Sequence, residues 1–440
     1  MTVPSPPKPV QAAGEFDAVI LADSPHADQV LLGLTLVERA KRIATRAGAK
    51  RVFVVDGTDT GLAVWDQQRG DRALLILRGG DQLVHMPLVK PLVEGTADRR
   101  VVVGIDGTYG GALWLTGDDA RDAIGIILRR GSGVQPPMDD VDRVLHERFA
   151  PAAERIVHGD IARHPATTPA ERQAAKKMLL RILVKPTEDS PVSQYIYRPL
   201  SKPMTLLLLH TPITPNQVTI FVGILGLFGC VLTALAGQTM LIVGALLVFI
   251  AGVIDGCDGE IARLKLQSSP IGAWLDTIVD EITSVAYFIA IGYHTYAQHP
   301  EPYIAWSIAV GAVLYVAGIY GIYYFCIVVL KAGGSQYYIG TLDVVEAGGR
   351  VGLRPRPRAP STLSPWMLAI GQWLLYVIRR DFINLAALIL TLFNLYHVIY
   401  IGILAGAVVS GLIVTREHIR LLGQLREVKR RGGVPQLLSS

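Results

Sequence analysis

Asp255, Asp258, Asp276 and Asp280 fall within residues 255–280, inside the most apolar half of the chain. If the flanking runs cross a bilayer, each unpartnered carboxylate costs roughly 2.5–3.5 kcal/mol on insertion scales, so every one of them needs a partner. The spacing suggests one. Asp255, Asp258, Gly259, Ala262 and Arg263 stand at i, i+3, i+4, i+7 and i+8, one face of a helix. Gly272, Asp276 and Asp280 form a second face at i, i+4 and i+8. Two helices joined by a short turn would bring both sets together, and Ser268 or Ser269 before Pro270 is a good helix start that would set that turn. Such a cluster of hard oxygen ligands asks for a divalent cation, Mg²⁺ first, with Mn²⁺ as a substitute. The simpler alternative has the carboxylates pairing with Arg263, Lys265 or Lys202 only to tie helices together. Four carboxylates at this spacing, with glycines between them, argue against it.

The rest of the composition fits a chain with a soluble and a membrane part. Half of its 440 residues are hydrophobic and only 18% are charged. The net charge of +5 gives no reason to expect nucleic acid. Cys230, Cys257 and Cys326 sit in apolar stretches without metal-like spacing, so neither a disulfide framework nor a zinc site is indicated. The N-terminus lacks a charged segment followed by an apolar core, so the first domain is expected to stay in the cytoplasm.

Residues 1–15 read as a Pro-rich leader, and a domain is expected over 16–165. Short apolar runs at 16–22, 51–56, 73–77 and 101–105 alternate with helical patterns at 29–47, 81–93 and 118–129. That alternation predicts a soluble α/β Rossmann-like domain with a parallel or mixed sheet. The runs 31–39 and 47–55 and the segment Leu77-Arg-Gly-Gly-Asp81 resemble the sugar-nucleotidyltransferase domain, whose members place a metal-binding aspartate at the position of Asp81. Their Gly-rich nucleotide loop should follow the first strand, yet residues 22–31 hold no glycine and no Lys or Arg. Without free backbone N–H groups or a cation to cradle phosphates, the domain is expected to be catalytically inactive, structural or regulatory. Asp81 reads equally as the N-cap of a helix starting at Gln82.

Residues 132–168 look like a connector, and 166–210 like two amphipathic juxtamembrane helices. In the first, Met178, Leu179, Ile182 and Leu183 oppose Lys176, Lys177 and Arg181, a pattern suited to an anionic membrane surface. In the second, Arg198 and Lys202 stand one turn apart, as headgroup anchors or as contacts to a substrate phosphate. Six apolar spans follow, at about 218–236, 240–264, 271–296, 303–330, 381–395 and 396–414. With six crossings every basic connection, including Arg379, Arg380 and the tail over 416–440, falls on one side. The positive-inside rule makes that side cytoplasmic, together with both termini and the aspartates. A further interfacial helix is expected over 366–378, and a mixed-charge, solvated helix over 417–431.

The aspartate stretch reads D-x-x-D-G-x-x-A-R-x8-G-x3-D-x3-D without a departure. With the Thr211–Thr219 segment before the first span, it resembles the CDP-alcohol phosphatidyltransferases, over about residues 190–420. The resemblance implies six transmembrane helices over 211–415 and transfer of a substituted phosphate from a CDP-alcohol to a second alcohol, with release of CMP. It implies a metal held by Asp255, Asp258, Asp276 and Asp280, Asp280 as general base, and a binding surface of Gly259, Ala262, Arg263 and Gly272, where Gly259 and Ala262 leave room for cytidine and Arg263 bonds phosphate or a carboxylate. Glu260 and Glu281 lie outside the pattern and are expected to face away. Arg198, Lys202, Arg379 and Arg380 are candidates for binding an acceptor's phosphate. The fused layout is similar to enzymes that make CDP-inositol and join it to inositol phosphate, so the donor is of CDP-inositol or CDP-diacylglycerol type and the acceptor a polar alcohol. Membrane lipid and a homodimer are the other expected partners. The competing readings are a cation-coupled transporter, which the off-centre carboxylates disfavour, and a regulatory scaffold with inactive domains.

Overall fold

The computed structural model describes residues 14–57, 61–129, 138–183, 190–235, 237–330, 338, 342–347, 350–355 and 379–433. The N-terminal half begins with β1 (Phe16–Leu21), a small hairpin of β2 (Val30–Leu31) and β3 (Leu34–Thr35), α1 (Leu36–Arg46), β4 (Val52–Val55) and α2 (Leu62–Gln67). It continues with β5 (Ala73–Arg78), β6 (Gln82–Val84), α3 (Met86–Glu94), β7 (Arg100–Val103), β8 (Tyr109–Leu115) and α4 (Gly117–Arg129). α5 (Met138–Phe149), β9 (Glu154–Val157), β10 (Arg163–Pro165) and α6 (Pro169–Arg181) complete it.

Every residue of β1 is buried, as a strand covered on both faces requires. The six-stranded sheet runs β4-β1-β5-β8-β7-β9. β8 alone is antiparallel to its neighbours, which makes the sheet mixed. Strand residues alternate between two cores. Ala18, Ile20, Leu75 and Leu77 pack with Ile43 of α1 and Leu88 of α3. Val19, Leu21, Leu74 and Ile76 pack with Ile124 of α4 and Leu145 of α5.

The helix expected over 29–47 starts only at Leu36, capped by Thr35, which accepts from the Glu38 N–H at 3.1 Å. Residues 30–35 are instead the β2–β3 hairpin, because Leu32 and Gly33 turn the chain at φ 50° and 85°. The helix expected over 81–93 is split into β6 and α3. β8, β9 and β10 were not foreseen in the sequence. The apolar face of α6 is used inside the protein rather than on a bilayer: Met178, Leu179 and Leu183 are buried with Leu31, Leu36 and Leu83.

The second half contains α7 (Arg198–Leu208), α8 (Pro215–Ala234), α9 (Gln238–Leu264), α10 (Pro270–Gln298) and α11 (Pro302–Tyr324). A hairpin of β11 (Leu342–Ala347) and β12 (Arg350–Pro355), then α12 (Arg380–Leu392) and α13 (Tyr396–Arg430), follow. Among the described residues four helices are long and apolar enough to cross a membrane: α8, α9, α11 with its continuation to Val329, and α13. α10 is long enough at 29 residues but carries Asp276, Asp280 and Glu281. α12 has 13 residues, below the length a perpendicular crossing needs. α8 and α9 approach closely through small residues; a Cβ on Gly229 would lie 2.9 Å from the Gly244 carbonyl. Outward-facing Phe221, Ile224 and Phe228 suit lipid.

The expected tail helix is not separate, because α13 runs unbroken to Arg430. Its end is not fully solvated either, since Leu421, Leu425 and Val428 are buried with Leu342 and Leu353 of the hairpin. The leader up to residue 13 and the interfacial helix expected over 366–378 lie outside the described residues.

His85 precedes α3 with its Nδ1 buried and unpartnered among the described residues. Burial, then the Arg39 and Arg46 charges, push it from 6.5 down to about 4. The unfolded chain therefore protonates His85 at higher pH than the folded one, so stability is full above 6.5 and falls as the pH drops towards 4. Unfolding midpoints of the full chain in urea, followed by near-UV circular dichroism, should fall over that window. His85→Gln should remove this pH dependence, worth about 3–4 kcal/mol at most over the window; an unchanged slope would refute the assignment.

Candidate active site

The turn between α9 and α10 is built as its residues dictate. Ser269 caps α10 by accepting from the Gly272 N–H at 2.9 Å, and Pro270 occupies the first turn. At the other end of the turn, Lys265 Nζ donates to the carbonyls of Thr211 at 2.8 Å and Ile213 at 3.3 Å, tying it to the start of α8. There Thr214 and Gln217 form a capping box. α8 packs against both α9 and α10.

Ligand atoms of Asp255, Asp258 and Asp276 lie within 4.8 Å of one another. The Asp258 carboxylate accepts from Thr219 Oγ1 at 2.5 Å and from the Gly259 N–H. Asp255 accepts from Arg380 Nη2 at 2.6 Å through Oδ2, while its Oδ1 is buried with no partner among the described residues. Asp280 stands outside this triad and is bonded to the same Arg380 guanidinium. One cation from α12 thus bridges both helices.

The small residues serve different ends. A Cβ on Gly259 would meet nothing within 4 Å, so the α9 surface beside Asp258 is open. A Cβ on Gly272 would press on Asn216 Oδ1 at 2.9 Å, so this glycine makes room for α8. Ala262 and Arg263 are half-buried.

Glu260 does not face away, contrary to expectation. It is fully buried and accepts from Arg198 Nη1 at 2.6 Å, Thr205 Oγ1 at 2.6 Å and Ser201 Oγ at 3.5 Å. The Arg198, Ser201 and Thr205 stripe on one face of α7 was the signal for a buried carboxylate partner. Arg198 also lines a cavity of about 340 Å³ with Arg379, Arg380, Asp255, Ser193 and Asn384. Arg379 pairs with Asp381 at 3.7 Å, and Lys202 is exposed and does not line this cavity. Cys257 is a buried packing residue, and Glu281 accepts from the Tyr323 hydroxyl at 3.1 Å.

In the N-terminal domain Asp81 is neither a helix cap nor part of a carboxylate cluster among the described residues. It is bonded to Arg78, whose Nη1 reaches Asp142 at 3.3 Å. Burial pushes Asp142 up to about 6.

The Arg198–Glu260 pair gives a sharp expectation. Arg198→Ala leaves a buried carboxylate without its cation, which costs about 3–5 kcal/mol, and should lower the thermal midpoint in detergent. Arg198→Met with Glu260→Leu should recover most of the loss. A single variant as stable as the wild type would contradict the pairing.

The CDP-alcohol phosphatidyltransferase family model matches residues 212–393. The chain is 40% identical over 164 residues to the "Bifunctional IPC transferase and DIPP synthase" of Rubrobacter xylanophilus, covering 37% of this chain and 36% of the relative. Its match to the protein of that name from Thermococcus kodakarensis is 31% over 147 residues, 33% of each chain. For the Aquifex aeolicus protein it is 32% over 127 residues, 29% of this chain and 28% of the relative. These matches span about a third of the length of the curated relatives. The acidic triad that the structure assembles lies inside the matched region, so it is over residues 212–393 that the chain is similar to the CDP-alcohol phosphatidyltransferase family.

Proposed function

We propose that this chain is a membrane transferase that moves a substituted phosphate from a CDP-alcohol to an acceptor alcohol and releases CMP, in phospho-polyol biosynthesis of the inositol-phosphate type. The observation that carries the reading is the meeting of Asp255, Asp258 and Asp276 within 4.8 Å inside the matched domain. The residues fit a hard divalent cation, Mg²⁺ or Mn²⁺: the donors are carboxylate oxygens, and Asp255 Oδ1 is buried with no partner among the described residues. When bound there, the cation would neutralise pyrophosphate oxygens and stabilise the leaving group.

The chain's own groups do the rest. Thr219 orients Asp258, and the open surface at Gly259 gives cytidine access to α9. The acceptor oxygen bonds to the β-phosphorus as the bond from that phosphorus to the CMP oxygen breaks, and Asp280 takes the hydroxyl proton. Asp280 is held by Arg380 beforehand, so an anionic acceptor in the adjoining cavity would compete for the guanidinium that Asp255 and Asp280 share and release the base. Arg379 and Arg380 are the cations placed for that acceptor, with Arg198 at the cavity wall. Exposed Lys202 suits a lipid headgroup better.

In this reading α8 to α13 make six crossings, with α10 and α12 held by their neighbours, both termini and the aspartates cytoplasmic, and the protein a homodimer in the cytoplasmic membrane. The N-terminal domain transfers no nucleotide; the pairing of Asp81 with Arg78 supports this. A second reading takes CDP-diacylglycerol as donor. It is favoured by an apolar cavity of about 200 Å³ lined by Phe382, Ile383, Ala386 and Val398, within a few residues of Arg380.

Purified protein should release CMP from CDP-inositol with an inositol-phosphate acceptor. EDTA should stop the reaction and Mg²⁺ or Mn²⁺ restore it; turnover in excess EDTA would sink the triad's role. CMP release only from CDP-diacylglycerol would select the second reading. Asp280→Asn should lower turnover by about 10²–10⁴-fold while CDP-alcohol binding persists, and undiminished turnover would remove the base. The full chain should form no pyrophosphate from CTP and inositol phosphate.

A further inference from the structure

The β2–β3 hairpin of the N-terminal domain does not face open solvent. It is packed against the α9–α10 turn. Gly33, at φ 85° in the β2–β3 hairpin, is so close that a Cβ would lie 2.9 Å from the Leu209 carbonyl and 3.2 Å from Lys265 Cε. Leu31, Leu32 and Leu36 are buried in one cluster with Leu209, Ile261 and Leu264. Leu266, which turns the chain at φ 53°, packs on the domain's own core.

Two guanidinium groups from one face of α1 complete this contact. Arg39, 1% exposed, donates through Nη2 to the Leu264 carbonyl at 2.9 Å and to the Leu31 carbonyl at 3.4 Å. Arg42 Nη1 donates to the Lys265 carbonyl at 2.7 Å, while its Nε is paired with Glu38. The last carbonyls of a helix lack intrahelical partners and carry partial negative charge, so cations there are favourable. Arg39 has little else: its Nε and Nη1 are buried without partners among the described residues. Burial, with the Arg42 charge beside it, pushes it down to about 10. A buried cation so poorly matched within its own domain is placed for the end of α9.

We infer that the N-terminal domain acts as a clamp on the membrane site, with Arg39 and Arg42 as positioning residues that fix the α9–α10 turn and hence the register of Asp255 and Asp258 against Asp276. The inference rests on the proposal that this triad binds a divalent cation. Carboxylates on two helices can share one ion only while the turn between the helices holds its shape; groups that hydrogen-bond metal ligands directly change affinity by about 10–100-fold, and a contact one step further out is set at the low end of that range.

The test uses the full chain in detergent, with Mn²⁺ titrated by electron paramagnetic resonance and backbone hydrogen exchange read over residues 262–270. Arg42 is partly exposed, so Arg42→Ala should fold. It should weaken Mn²⁺ binding about tenfold and speed exchange at the turn, leaving exchange in β1 and β5 unchanged, and Arg42→Lys should restore part of both. Unchanged exchange overturns the clamp. Faster exchange with wild-type Mn²⁺ affinity makes the contact merely structural and overturns the positioning role. A wild-type protein that binds no Mn²⁺ would instead defeat the metal reading, and the exchange result would then decide the clamp alone.

Discussion

Carboxylates gathered in low-dielectric surroundings repel one another, and much of this membrane domain is arranged around that repulsion. Three devices answer it among the described residues. Arg380 reaches from α12 to bridge Asp255 and Asp280. Thr219 and the Gly259 N–H take the two oxygens of Asp258. Glu260, on the same helix, is held apart by Arg198, Ser201 and Thr205 of α7. Inside the triad Asp255 Oδ1 is buried with no partner among the described residues, and the proposed cation site rests on that oxygen and its two neighbouring carboxylates.

The same logic links the two halves of the chain. Residues 22–29 after β1 form a turn-rich loop, and the β2–β3 hairpin that follows it packs on the helical half of the chain. Arg39, which no carboxylate among the described residues pairs with, serves the carbonyl end of α9 instead. With residues 22–31 lacking glycine, Lys and Arg and with Asp81 tied to Arg78, the proposed part of this domain in the chemistry runs through the shape of the turn it grips.

The acidic site was legible because it is local. Helical spacing places Asp255 with Asp258, and the Ser269-Pro270 cap announces the turn. Four strands of the central sheet, β1, β4, β5 and β7, were legible for the same reason, as short apolar runs such as Phe16–Leu21 and Ala73–Arg78. Long-range partners were not. Nothing near Glu260 in the chain names Arg198, 62 positions away, as its counter-ion. The apolar face of α6 looks the same whether it meets lipid or Leu31 and Leu83, and only tertiary packing decides. The β2–β3 hairpin was hidden in a leucine-rich run that reads as helix, although Thr35 with Glu38 three residues later marked the true helix start. β8 was masked by Gly110 and Gly111, which weaken a strand pattern.

The most direct measurement is anomalous X-ray scattering at the manganese edge from crystals of the full chain grown with Mn²⁺ and a CDP-alcohol. The predicted result is a Mn²⁺ peak enclosed by Asp255, Asp258 and Asp276, with the pyrophosphate on its open side next to Gly259. A triad without a peak, or the CDP-alcohol bound at the N-terminal domain instead, would contradict the assignment of this site.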